Sequence, residues 1–173
     1  MSAEELRAKI REVPDSPKPG ILFYDITTLL KDAAAYREAI RLMLDPFRGE
    51  QIDIVIGMES RGFIFSAPMA IELGAGLVPV RKLGKLPAET LSVEYALEYG
   101  SNTLEIHRDG IQAGQKVLIV DDLLATGGTV QGTIELVERL KGEIVGLGFL
   151  VELEFLHGRD RLDGRRVTSV IRY

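Results

Sequence analysis

The strongest constraint in this 173-residue chain is a set of short, almost wholly apolar runs separated by helix-length segments. Asp53–Gly57 (DIVIG), Leu77–Val80, Lys116–Asp121 and Ile144–Val151 each run with little polar interruption. A strand with one wet face alternates apolar and polar residues. A strand that is apolar throughout is buried on both faces, as in a parallel sheet covered by helices. The expectation is therefore an α/β fold, a Rossmann-like parallel sheet flanked by helices, with Val167–Ile171 as an edge strand.

The segments between these runs carry the helical period. Tyr36, Ala39, Ile40, Met43, Leu44 and Phe47 fall on one helix face, and Asp32 is placed as its N-cap. Val130, Ile134, Val137 and Leu140 mark another face, and Phe63–Leu73 is a further apolar segment. Ala3, Leu6, Ile10 and Val13 predict a short N-terminal helix, stopped by Pro14, Pro17 and Pro19, with PDSPKPG as an extended connector. Residues 93–106 alternate weakly, which predicts a hairpin around Tyr99–Asn102.

Composition narrows the function classes. Hydrophobic residues make up 46% and charged residues 27%, the balance of one soluble domain with a full core. The net charge of −5 argues against non-specific nucleic-acid binding, although a local basic cluster could still meet an anion. With no cysteine there are neither disulfides nor thiolate metal sites. His107 and His157 lie far apart and read as surface or hydrogen-bonding residues. The charged N-terminus lacks a signal-peptide core, and no run approaches the ~18 apolar residues of a membrane helix. The expected setting is the cytoplasm, with no membrane partner.

In parallel α/β sheets, ligands bind beyond the carboxyl ends of the strands. Three loops there hold unusual residues. After DIVIG comes Met58-Glu59-Ser60-Arg61-Gly62, where an arginine fork beside a glycine suits an oxyanion, though a plain turn with a solvated arginine reads equally well. After Leu77–Val80 comes Arg81-Lys82-Leu83-Gly84-Lys85, a polyanion site or a solvated face. After Lys116–Asp121 comes Thr126-Gly127-Gly128-Thr129, leading into a helix whose free N–H groups can hold a phosphate. Asp121 and Asp122 would repel that phosphate. As acceptors they suit the vicinal hydroxyls of a ribose, or a hydrated Mg²⁺. Together the loops call for a ribose 5-phosphate that carries a second polyanionic group.

VLIVDDLLATGGT (117–129) resembles, throughout its length, the ribose-phosphate motif of the type I phosphoribosyltransferases. PKPGILFYDIT (17–27), GMESRGFIF (57–65), VRKLGKLP (80–87), SVEYALEYG (92–100) and VELEFLHGR (151–159) are similar, in order, to segments of the adenine-using branch of that family. The resemblance implies a single domain over residues 1–173, with a small N-terminal hood (1–30) and a mobile lid loop (86–105). It implies that adenine and 5-phosphoribosyl 1-pyrophosphate (PRPP) give AMP and pyrophosphate. Mg²⁺ would be held mainly by PRPP and water, with no direct protein ligand.

On the same resemblance Asp121, Asp122, Ala125, Thr126, Gly127, Gly128 and Thr129 would take the ribose and its 5-phosphate. Glu59, Ser60, Arg61, Arg81 and Lys85 would meet pyrophosphate, with a cis peptide at Glu59–Ser60. Glu98 would be the catalytic acid–base group, exchanging a proton with the purine, and Leu22, Phe23 and Leu153 would line the adenine pocket. A homodimer is also implied. One residue departs from the pattern: many members carry arginine where this chain has Tyr24. Two alternatives stay open at this point, a hypoxanthine, guanine or xanthine enzyme and a non-catalytic nucleotide-sensing regulator of the same fold.

Overall fold

The structure, a computed structural model, describes residues 1–97, 99–162 and 164–173. In chain order the elements are α1 (Ala3–Arg7), β1 (Arg11–Val13), β2 (Phe23–Asp25), α2 (Thr27–Leu30), α3 (Ala33–Leu44), β3 (Ile54–Met58), α4 (Gly62–Leu73), β4 (Gly76–Lys82), β5 (Thr90–Ala96), β6 (Ser101–His107), β7 (Lys116–Leu124), α5 (Gly128–Arg139), β8 (Glu143–Glu152) and β9 (Val167–Arg172). Short 3₁₀ turns lie at Asp45–Phe47, Glu154–Leu156 and Gly158–Leu162.

Seven strands form one sheet in the order β5-β6-β4-β3-β7-β8-β9. The run from β4 through β3, β7 and β8 to β9 is parallel, and the β5–β6 hairpin joins antiparallel at β4. The apolar runs therefore read as the central strands they are. Leu118 and Val120 of β7 pack in one cluster with Ile40, Met43, Phe65 and Met69 of α3 and α4. Val117 and Ile119, alternating with them, pack in a second cluster with Val130, Ile134 and Val137 of α5. Burial on both faces removes any need for a polar phase along β7. Asp32 caps α3 as expected, its carboxylate accepting from the Ala35 N–H at 3.1 Å.

Two expectations at the N-terminus are corrected. The helix predicted from Ala3 to Val13 ends at Arg7, and Arg11–Val13 is a strand paired antiparallel with β2. Arg11 lies directly opposite Asp25 in that pairing, and their ion pair is 2.5 Å long. This cross-strand partner, invisible to helical periodicity, favours the extended form. PDSPKPG is accordingly part of a hairpin connection with a cis Ser16–Pro17 bond, rather than an extended connector. Residues 86–105, expected as a lid loop, consist largely of β5 and β6. Among the described residues no helix is long and apolar enough to cross a membrane.

Candidate active site

The topology places the site. β3 and β7 are adjacent parallel strands, yet α4 and α5, which follow them, pack into opposite apolar clusters. A crevice opens where two such connections diverge, at the carboxyl ends of the strands. The last β3–β7 partners are Gly57 and Val120, so Asp121 and Asp122 lie just past them, opposite the Glu59–Arg61 loop. β7 itself continues to Leu124, three residues beyond the predicted strand end, so both aspartates sit within a strand.

There the two acids take different environments. Asp122 accepts from Arg61 Nε at 2.7 Å. Asp121 accepts from the Asp122 backbone N–H at 2.8 Å. Burial, reinforced by the neighbouring Asp122 carboxylate, pushes the Asp121 carboxyl well above the usual range. A Cβ on Gly62 would stand 2.8 Å from Asp121 Oδ1, so the start of α4 approaches this carboxyl closely because residue 62 has no side chain. Among the described residues no three acidic or histidine side chains gather closely enough to hold a metal ion.

Thr126–Thr129 turns into α5 through Gly127, whose φ of +89° is a left-handed value that favours glycine. Among the described residues no side chain caps the first turn of α5, which leaves its N–H groups to the crevice. A cavity of about 370 Å³ joins these parts, lined by Ser60, Arg61, Asp121, Asp122 and Thr129 among others. Tyr95 and Asn102, cross-strand partners in the β5–β6 hairpin, form its far wall.

The basic cluster is divided. Lys82 lines this cavity, whereas Lys85 does not and instead closes a turn onto the Lys82 carbonyl. Arg81 Nη2 donates to Glu59 Oε1 at 2.9 Å, and the Lys82 backbone N–H donates to Glu59 Oε2 at 2.8 Å. These bonds, the one from the Lys82 backbone foremost, hold the Glu59 carboxyl below its ordinary value. Glu59 thus ties the end of β4 to the loop after β3. The Glu59–Ser60 peptide is cis.

A second cavity, about 150 Å³, is lined by Leu22, Phe23 and Tyr24 on one side and by Val151 and Leu153 on the other. It shares Arg61, Asp122 and Leu123 with the first, and the Arg61 guanidinium carbon lies 5.7 Å from the Phe23 ring centre. The structure therefore brings the end of the Thr126–Thr129 loop, the aspartates, Arg61 and the three apolar residues to one crevice. Glu98 lies outside the described residues. Tyr95, Asn102, Leu123 and Ile21 were not singled out by sequence, and Lys82 was read only as part of the basic cluster Arg81–Lys85. Only the weak alternation of residues 93–106 hinted at the first two. A larger groove of about 860 Å³ runs between β5 and α5, and among the described residues Gly128 is the one expected site residue that lines it.

The phosphoribosyl transferase domain family matches residues 25–169. An adenine phosphoribosyltransferase of Acidobacterium capsulatum is 55% identical over 173 residues, covering all of this chain and 96% of that protein. The crystal structure of the adenine phosphoribosyltransferase of Thermoanaerobacter pseudethanolicus superposes with a TM-score of 0.96 at 53% identity, covering 99% of this chain and 100% of that one. The Saccharomyces cerevisiae enzyme, complexed with an imino-altritol bisphosphate and adenine, superposes with a TM-score of 0.91 at 41% identity, over 97% of both chains.

Proposed function

The chain belongs to the adenine phosphoribosyltransferases, within the phosphoribosyl transferase domain family, and on that premise we propose a purine-salvage reaction. Adenine and PRPP give AMP and pyrophosphate. The observation that carries this reading is the meeting of the two cavities. One is polar and flanked by an α5 N-terminus and cations, the other is small and apolar, and they share Arg61, Asp122 and Leu123. A sugar phosphate in the first and a flat base in the second would face each other at that seam.

In this reading Thr126–Thr129 hold the 5-phosphate through backbone N–H groups, the α5 dipole and two hydroxyls. Asp121 and Asp122 face the ribose hydroxyls, Asp122 exchanging Arg61 for substrate. Arg61, Lys82 and the Ser60 region meet the pyrophosphate, while Glu59 and Arg81 hold the strand end that presents them. Mg²⁺, bound through substrate oxygens and water, would neutralise part of the leaving group's charge. Bond breaking at C1′ runs ahead of bond making from adenine N9, so cations aimed at the departing pyrophosphate lower the barrier. Glu98, on the family resemblance, exchanges a proton with the purine.

Adenine is favoured over oxo purines because its 6-amino group needs an acceptor, and among the described residues no lysine lines the base cavity. The resemblance also carries a homodimer and a cytoplasmic setting. Turnover with PRPP and each purine, with and without Mg²⁺, tests the reading. Adenine is expected to be used in preference, and faster turnover of hypoxanthine or guanine would overturn the base assignment.

A further inference from the structure

The base cavity has two walls from distant parts of the chain, and one residue touches the support of both. Tyr173 stacks on Tyr24 with ring centres 3.8 Å apart and planes 27° from parallel. Tyr24 belongs to β2, the wall that also holds Leu22 and Phe23. On the other side, the Tyr173 backbone brackets Leu153. Its N–H donates to the Glu152 carbonyl at 3.0 Å, and its carbonyl accepts from the Glu154 N–H at 2.9 Å. Leu153 thus stands between two backbone bonds to the residue whose ring supports the opposite wall.

The outer face of the Tyr173 ring is also occupied. The Arg7 guanidinium carbon lies 4.3 Å from its centre, and Arg7 Nη1 donates to the Arg172 carbonyl at 2.9 Å. Arg7, Tyr173 and Tyr24 form three layers that join α1, β9 and β2. The Tyr173 hydroxyl is buried and finds no hydrogen-bond partner among the described residues. The ring's flat face, rather than its hydroxyl, is therefore the part the fold uses.

We infer that Tyr173 sets the spacing of the two walls of the base cavity, and so acts as a positioning residue for the purine and not for PRPP. This rests on the assignment of that cavity to the base. The β1–β2 hairpin has only three residues in each strand, too few to hold a wall rigid alone, so an aromatic clasp would govern its position. The clasp meets β7 through the Leu153 N–H, which donates to the Leu124 carbonyl at 3.0 Å, whereas Asp121, Asp122 and Thr129 line the neighbouring polar cavity.

The test is steady-state kinetics of Tyr173→Ala, Tyr173→Leu and Tyr173→Phe, varying adenine and PRPP separately, with melting curves for each. Loss of one stacked aromatic contact predicts a rise of roughly threefold to tenfold in KM for adenine in the alanine and leucine variants. KM for PRPP should stay within about twofold, a difference too small to imply a lost contact. Tyr173→Phe should behave as wild type. If alanine prevents folding, the bulkier leucine variant decides. Equal rises in both KM values, no change in either, or loss of the effect's dependence on the ring would overturn the inference. If wild type itself fails to use adenine, the functional reading falls instead, and calorimetric binding of other purines to the same variants still reports whether Tyr173 governs the cavity.

Discussion

Arg61 Nε and Asp122 Oδ2 are 2.7 Å apart, joining residues 61 positions distant in sequence at the seam of the two cavities. Residue by residue, the arginine suits pyrophosphate and the aspartate suits a ribose diol. Paired, they neutralise one another. Under the proposed function, substrate would give each a replacement, and binding would be an exchange of partners rather than the filling of two waiting sites.

Asp122→Asn separates the two partners' interests. The asparagine is a poorer acceptor for the diol, and hydrogen bonds to charged groups contribute about 1.5–3 kcal/mol, so PRPP affinity should fall roughly tenfold or more. Pyrophosphate alone should bind at least as well as to wild type, because Arg61 loses its carboxylate. Calorimetry with both ligands checks this, and parallel losses would refute the exchange.

Asp121 has the opposite character, a carboxyl whose charged form is disfavoured by burial and by Asp122. A raised native pKa means that stability falls as pH climbs from the ordinary carboxylate range through the raised value. Asp121→Asn removes that penalty, so its melting temperature at neutral pH should exceed wild type by roughly 2–4 °C, the scale of about 1 kcal/mol. PRPP binding should weaken at the same time. A lower melting temperature would contradict the burial argument.

Gly62 and Gly127 should each resist alanine for a different reason. At Gly62 the added Cβ would meet Asp121 Oδ1 at 2.8 Å, an overpacking cost of about 1–3 kcal/mol. At Gly127 the φ of +89° adds about 1–2 kcal/mol of backbone strain. Denaturant titration measures both losses.

The hairpin that brings Phe23 and Tyr24 to the smaller cavity depends on Asp25, whose carboxyl is held down at about 2 by the Thr27 hydroxyl and N–H and by Arg11. A depressed native pKa gives stability that is complete above the ordinary value and lost as pH falls toward 2. Asp25→Asn should cost about 1 kcal/mol at neutral pH, discounted for solvent screening. The gap from wild type should close between roughly pH 4 and pH 2. A gap independent of pH would assign the loss to packing instead.

Glu98→Gln should lower kcat by roughly 10²–10⁴, the contribution typical of a positioned acid–base group. The melting temperature and PRPP affinity should be unchanged. A turnover number close to wild type would remove Glu98 from proton transfer.

Much of the site was legible from the chain because its parts are local. TGGT before an amphipathic face marks a helix start, and the apolar run ending in Asp121–Asp122 marks a strand that delivers acids to the carboxyl end of the sheet. Where sequence reading failed, long-range pairing was the cause. Arg11–Val13 continues a helical apolar spacing, yet Asp25 across the hairpin holds it extended. Lys82 and Lys85 look alike in RKLGK, but the turn that follows β4 leaves only Lys82 in the cavity.

The sequence by itself determined the sheet, its covering helices and the glycine-rich turn into α5, because burial on both faces and helix termini are written into short-range patterns. Tertiary structure alone decided that Arg61 meets Asp122, that Gly62 abuts Asp121 and that Tyr173 clasps Tyr24 beside Leu153. Those contacts join residues that only the divergence of α4 and α5 from neighbouring strands, and the return of β9 beneath the N-terminal hairpin, bring within a few ångströms.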